Sequence, residues 1–303
     1  RAADLREDDQ LDTLARHCPQ KIDGARYNDP HVKANVILQC HFSRRDVGRE
    51  MEADLAVVLD KAPRLLQAMV DVISSSGWLA PALATMELSQ MCVQAMWDRD
   101  SVLLQLPHVS RDLAKKCEAA GVDTVFDLMD MEDDARVALL GMSAAQLGDV
   151  ARVCNRYPNV DVTYEVEDED EIASGESVAI VVQLQRETDD DAPAAAAAGA
   201  KVPKVHAPHF PKDKEEGWWL VVGDVAANSL LCIKRIALGQ RAKAKLEFVA
   251  PEPGEYTFKL YLMSDSYLGC DQEYELQLKV GEPLEEESGE EGEEEESGGE
   301  GAD

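Results

Sequence analysis

The chain has 303 residues, 45% of them hydrophobic, and carries 60 Asp and Glu against 30 Lys and Arg, a formal net charge of −30. That length and apolar content exclude a chain disordered throughout and leave room for two or three domains, each with its own core. The charge balance argues against a nucleic-acid binder, because phosphate contact needs clustered cations.

Seven cysteines are an odd count with no C-x-x-C pair. This pattern argues for reduced thiols and against disulfides or structural zinc. The chain begins at Arg1 with no apolar signal segment, so it is expected to be a piece of a longer polypeptide that is not secreted.

Residues 1–100 read as a helical bundle: Leu5 to Cys18, His31 to Arg44 behind Asn28-Asp29-Pro30, Glu52 to Ser76, and Gly77 to Trp97. In the third segment Leu65, Leu66, Met69, Val72 and Ile73 form an apolar stripe, the pattern of a helix packed on one side, and Pro63 is expected to kink or restart it. Ser74-Ser75-Ser76-Gly77 makes its stop. The fourth segment is the apolar centre of the bundle, with Glu87 as its one charged side chain and Pro81 in its first turn. Spanning a membrane would leave Thr85, Glu87, Ser89, Gln90 and Gln94 unpaired in hydrocarbon, so the segment is read as buried in protein and no membrane partner is expected.

Residues 101–157 read as a smaller unit of short helices, with Ser110 as an N-cap, Gly121 as a stop, and Asp123 or Thr124 as the next cap. The layout is that of a helix-hairpin-helix-like unit. Such elements grip phosphate backbones through Gly-rich hairpins, whereas A-A-G-V-D-T has one Gly and an acid, so a packing spacer is favoured over an RNA contact.

From Val160 the period changes to 2. Alternating runs begin at Val160, Val178, Ala242, Tyr256 and Tyr274, and W-W-L-V-V and L-L-C-I-K-R-I add two more. Seven strands fit an immunoglobulin-like β-sandwich over residues 158–281, interrupted by a mobile loop at 188–216. Trp218 and Trp219 are read as core or corner residues in preference to binding platforms; because they face opposite sides of one strand, there is room for one to be exposed, and both stay candidate partner contacts. Residues 282–303 supply twelve acidic groups and no basic ones, a disordered acidic tail in which Ser288 and Ser297 each precede an acid by three residues and are candidate phosphosites.

Motifs for catalysis are missing: there is no phosphate-binding loop of the G-x-x-x-x-G-K-[ST] type, no dinucleotide fingerprint and no nucleophile elbow. No catalytic residue, cofactor or metal site is assigned. His17-Cys18 and Cys40-His41 could be drawn as halves of a metal site, but neighbours on a helix diverge by about 100°. His206 and His209 are read as solvated. The cation clusters Arg44, Arg45 and Arg49, and Arg241, Lys243 and Lys245, are candidate partner or RNA contacts, weighed against plain solvated faces.

The order of parts and the runs Y-N-D-P-H-V-K-A-N, R-L-L-Q-A-M-V-D-V, S-S-G-W-L-A-P-A-L-A-T-M-E-L, V-C-N-R-Y-P-N-V, E-E-G-W-W-L-V-V-G-D and M-S-D-S-Y-L-G-C-D-Q-E-Y resemble the large spliceosomal DExH-box RNA helicases of the U-five small nuclear ribonucleoprotein, of the Brr type. The likeness covers about residues 1–280 and falls on the unit these helicases share with Sec-type translocation proteins. It implies a bundle, a helix-hairpin-helix and an immunoglobulin-like sandwich closing a catalytically silent cassette, in a nuclear protein that unwinds the U-four/U-six duplex during mRNA splicing. ATP and magnesium would belong to the parent's helicase domains. The implied partners are those domains and splicing-factor proteins, with RNA bound weakly or not at all. In active cassettes the helix matching Gly77 to Trp97 offers cations to RNA, yet Trp78 to Asp98 contains no Lys or Arg. A non-catalytic regulatory and protein-interaction module is therefore favoured, an RNA-contacting accessory part is the alternative, and the Sec-type translocation family itself lacks support.

Overall fold

The computed structural model describes residues 5–22, 27–169, 172–187 and 201–283. The tail from residue 284, with Ser288 and Ser297, and residues 188–200 of the expected loop lie outside the described residues.

Four helices come first: α1 (Leu5–Arg16), α2 (Pro30–Phe42), α3 (Arg49–Ser75) and α4 (Leu79–Gln94). Asp29 opens α2, its carboxylate accepting from the His31 amide at 2.8 Å, with Pro30 in the first turn where no amide donor is needed. α3 runs unbroken through Pro63, against the expected kink or restart. Leu59 and Ala62 before the proline and Leu66 and Val70 after it keep one buried face in register across the lost hydrogen bond. The stripe read from the sequence is divided by the structure. Leu66 packs inward, whereas Leu65, Met69 and Val72 are 62%, 48% and 67% exposed. Gly77 takes φ +71° after the end of α3, a left-handed conformation that a side chain resists, and the chain turns into α4.

A single 3-10 turn (Val102–Gln105) leads to α5 (Arg111–Ala119), α6 (Val125–Asp130), α7 (Asp133–Leu140) and α8 (Ala144–Cys154). Ser110 caps α5, and Thr124 with Asp127 forms a reciprocal capping box on α6. No single helix among the described residues is long and apolar enough to cross a membrane.

The remainder is two antiparallel sheets. β1 (Val160–Val166), β2 (Ser177–Arg186) and β5 (Arg241–Val249) pair in the order β1-β2-β5; β3 (Trp218–Asp224), β4 (Ser229–Ile236), β6 (Gly254–Ser264) and β7 (Gln272–Val280) pair in the order β4-β3-β6-β7. Alternation places Ile180, Val182 and Leu246 of one sheet and Trp218, Leu220 and Leu262 of the other in one apolar cluster. Cys117, Leu128 and Val150 of the α5–α8 unit join the same cluster, so that unit and the sheets share a core.

The outer face of the four-stranded sheet is also covered. Trp219, Val221, Tyr261 and Met263 pack on Val70 of α3 and Leu79, Ala82 and Met86 of α4. The tryptophan pair is core, the favoured reading, and the candidate contact is corrected: the two do point to opposite faces, but helices cover the second face and both are buried. The Arg235 guanidinium lies 4.1 Å from the centre of the Trp219 ring.

α4 is fixed along its whole length. Asn228, in the β3–β4 turn, caps its start by accepting from the Ala80 amide at 2.8 Å through its side chain. Gln90 donates to the Ser264 carbonyl at 2.9 Å and to Asp271 at 2.7 Å, Ser89 donates to the Asp265 carbonyl, and Gln94 to the Ser266 carbonyl at 2.8 Å. Ala95, at φ +51°, ends the helix three residues before the end of the expected segment at Trp97.

Residues 201–216 are packed rather than loose. The His206 amide donates to the Tyr267 hydroxyl, Lys214 pairs with Asp265 at 2.7 Å, and the Arg186–Glu216 pair is buried. Residues 201–216 therefore depart from the mobile insertion expected of them, and His206 is half-buried, whereas His209 is exposed as expected. The segment lies as a strap over the end of α4, where Gln94 also donates to the His206 carbonyl.

Two outcomes follow from this interface. A Cβ on Gly223 would stand 2.5 Å from Leu79 Cδ1 on α4. Gly223→Val is expected to lower stability by about 1–3 kcal/mol through overpacking, read as an earlier urea midpoint. Burial pushes the Asp271 carboxyl up to about 6, against the opposing hydrogen bonds from Gln90 and Ser264. The unfolded carboxyl titrates near about 3.9, so between these values the native state holds a proton that the unfolded state has released. Stability contributed at this position is thus present at low pH and lost as pH rises through about 6. Relative to Asp271→Asn, the wild-type chain is expected to lose on the order of 3 kcal/mol from pH 4 to pH 7. A flat difference across that window would refute the assignment.

Candidate functional site

Burying one side of α4 leaves its other side, Ala84, Glu87 and Leu88, facing the exposed row of α3. Leu38 and Phe42 of α2 close one end, and the resulting groove encloses about 850 Å³. Its wall is apolar: Val57, Leu65, Met69, Leu88, Met91 and Trp97. Phe42 meets Trp97 edge to face at 5.2 Å between ring centres, and the Trp97 indole donates to the Ser43 hydroxyl at 2.9 Å, so this end is built rigidly. The Arg99 guanidinium sits over the same ring at 5.0 Å. Glu87 is the charged residue of α4, and burial first, then the nearby Asp98, pushes its carboxyl above the ordinary value. Beyond dispersion contact, the lining presents the carboxylates of Glu87 and Asp98, the amides of Gln20, Asn35 and Gln39, and two cations, Lys61 and Arg99. It offers phosphates little, because α4 brings no cation to it.

The cations singled out in the sequence are scattered. Arg44 turns inward and donates to the carbonyls of Ala95 at 2.9 Å, Gln94 at 3.2 Å and Leu104 at 2.9 Å, satisfying the end of α4. Burial, followed by repulsion from Arg111, lowers its pKa. Arg45 and Arg49 are exposed in the α2–α3 connection and the first position of α3. Arg241, Lys243 and Lys245 stand on the outer face of the three-stranded sheet, where Lys245 is held by Glu167 at 2.9 Å and Glu247 at 3.3 Å. The two clusters therefore lie on different parts of the molecule, and neither lines the groove.

Of the histidine and cysteine pairs only the cysteines meet: Cys18 and Cys40 are hydrogen-bonded side chain to side chain in one buried cluster, while the two histidines find separate partners. His17 contacts the Thr13 carbonyl, while His41 is buried against the Cys92 carbonyl at 2.8 Å with its pKa lowered by burial. Among the described residues no group of three or more His, Cys, Asp or Glu could hold a metal ion. Sequence reasoning missed the groove. Its signal was present: Leu65, Leu66, Met69, Val72 and Ile73 span a wider arc than one packed face requires.

Residues 5–277 match the family model of the Sec63 Brl domain. The U5 small nuclear ribonucleoprotein 200 kDa helicase of Drosophila melanogaster is 50% identical over 281 residues, covering 91% of this chain and 13% of that protein. Its Homo sapiens counterpart is 51% identical over 276 residues, 91% of this chain and 12% of that protein. The DExH-box ATP-dependent RNA helicase DExH12 of Arabidopsis thaliana is 50% identical over 278 residues, with shares of 90% and 12%. The chain thus spans about an eighth of the length of the curated relatives it matches. The family match runs from the first helix into the last strand, and the chain belongs to the Sec63 Brl domain family.

Proposed function

We propose that this chain is a non-catalytic regulatory and protein-interaction module of a nuclear spliceosomal DExH-box RNA helicase that unwinds the U-four/U-six duplex in mRNA splicing. The observation that carries the reading is the groove: a largely apolar face beside α4, whose two lining cations are already engaged, Lys61 by Asp60 at 3.2 Å and Arg99 over the Trp97 ring, suits a protein surface better than a phosphate backbone. The proposed division is a helical bundle (1–100), a helix-hairpin-helix-like unit (101–157), an immunoglobulin-like sandwich (158–281) and an acidic tail (282–303). The two antiparallel sheets sharing one core support the sandwich. The short capped helices α5 to α8 support the middle unit.

In this reading the groove seats the helicase domains of the parent chain, where ATP and magnesium bind. The outer sheet face, with exposed Arg241 and Lys243, is open to splicing-factor proteins. Serines 288 and 297 of the tail remain proposed phosphosites. RNA contributes little, since the exposed cations Arg45 and Arg49 are isolated from α4.

The test joins this chain in trans to the remainder of the parent polypeptide. Leu65→Asp with Met69→Asp places two charges on exposed positions, so the melting temperature should hold while affinity falls at least tenfold. Burial of each such side chain is worth about 1.5–3 kcal/mol. Labelled single-stranded RNA at about 150 mM salt should bind no more tightly than the non-specific range of roughly 10⁻⁴ to 10⁻⁶ M. Tighter RNA binding that depends on Arg45 and Arg49, with docking unchanged in the double variant, would overturn the module reading in favour of an RNA-contacting part.

A further inference from the structure

The strap of residues 201–216 crosses the end of α8. Between them lies a crevice of about 280 Å³ lined by Pro107, Asp149, Arg152, Val153, Arg156 and His206. Three observations give it chemistry. Arg156 is exposed, and its guanidinium has no hydrogen-bond or ion-pair partner among the described residues. His206 Nε2 is buried without a hydrogen-bond partner, although the same residue's amide and carbonyl are both engaged, by Tyr267 and Gln94. Asp149, the one acid in the lining, already receives His108 at 2.8 Å on one oxygen and Arg152 at 3.0 Å on the other, so its charge is neutralised within the wall.

A buried imidazole nitrogen beside a free guanidinium lacks the acceptor that both groups require. The nitrogen has almost no accessible surface, so an acceptor meets it once the His206 ring turns toward the crevice about its side-chain torsions. One compact anion fits both, because a tetrahedral oxyanion takes two parallel bonds from arginine and a third from imidazole. The backbone around the site is fixed: the His206 amide is tied to Tyr267, and Tyr267 stacks edge to face on Tyr157 immediately after Arg156. Burial and the neighbouring Arg156 charge lower the pKa of His206, and an anion in the crevice would relieve the second of these causes.

We propose that the crevice binds a phosphate monoester, the dianion carried by a phosphorylated serine or threonine. A monoester is favoured over a nucleic-acid strand because it concentrates roughly −1.5 to −2 charges at one point. The crevice offers one point, and a chain of net charge −30 repels an extended polyanion. The proposal deepens the interaction-module reading and rests on it only for the origin of the ligand, in a partner or in the acidic tail of this chain.

The test uses the full chain, titrated with inorganic phosphate and with two phosphoserine peptides, one of tail sequence around Ser288 and one unrelated. Controls are chloride at matched ionic strength and the unphosphorylated peptides. The ring signals of His206 should shift with phosphate and stay with chloride. The phosphopeptides should bind at least tenfold more tightly than their unphosphorylated forms. A tighter tail peptide assigns the ligand to this chain, and equal affinities assign it to a partner. Arg156→Ala should lose at least tenfold, with Arg156→Lys retaining part of the affinity and both variants melting like the wild type. Unmoved His206 signals, wild-type affinity in Arg156→Ala, or single-stranded RNA binding more tightly than the phosphopeptides through Arg156 would each overturn the proposal. None of these outcomes touches the α3–α4 groove, so failure here is distinct from failure of the module reading.

Discussion

The rest of the structure depends on the row of amides and hydroxyls that α4 presents to the sheets. Ser89, Gln90 and Gln94 recur at helical spacing and meet carbonyls of Ser264, Asp265 and Ser266, in a turn that leaves the sheet ladder and would otherwise bury its acceptors unpaired. A net gain of about 1 kcal/mol per hydrogen bond understates the constraint, since breaking one strands a partner in the interior. Apolar contact above this row, through Leu79, Ala82 and Met86 on Trp219 and Met263, supplies affinity without direction. The polar row supplies the register. It makes the first helices and the second sheet one body.

That constraint explains why a groove is left over. A helix committed to a sheet along one side can cover only part of α3, and the 27 residues of α3 carry more apolar surface than α4 and α2 use. Leu65, Met69 and Val72 are therefore exposed as a consequence of geometry, and they remain adjacent because the helix continues past Pro63. The rigid end of the groove, Phe42 on Trp97, lies next to the carbonyls that Arg44 satisfies. A bundle arginine thus serves the helix terminus while the apolar face stays available.

Local chemistry was legible in the sequence wherever one residue decides it. The Asp29, Ser110 and Thr124 caps, the Gly77 stop and the change of period at Val160 each carry their own cause, and helices and strands lie close to where these signals place them. What the sequence did not reveal depends on partners distant in the chain. Trp219 alternates correctly yet is covered by a helix some 140 positions earlier, which no strand pattern records. The strap at 201–216 reads as loose because its prolines and lysines form no periodic face, and its order comes from Tyr267, Asp265 and Arg186. The groove was visible only as a surplus of apolar residues on α3, and a surplus states neither which side chains are left out nor what covers them.

Charge follows the same logic. In a chain with twice as many acids as bases, several cations are spent on main-chain carbonyls. Arg44 closes α4, Arg136 donates to the carbonyls of Leu128 and Met129 at the end of α6, and Lys21 reaches the Arg16 carbonyl at the end of α1. Helix ends favour such partners, because the last carbonyls lack intrahelical donors and carry the negative end of the dipole. Others are paired with acids, as Arg235 and Lys214 are with Asp265. A cation engaged in this way would have to abandon a partner before it could meet a phosphate, and that exchange gives up most of the gain. The basic residues that stay unengaged, Arg156 above all, therefore weigh more than a count of positive charges implies. The chain's capacity to bind anions rests on a few placed guanidinium groups and not on a basic surface.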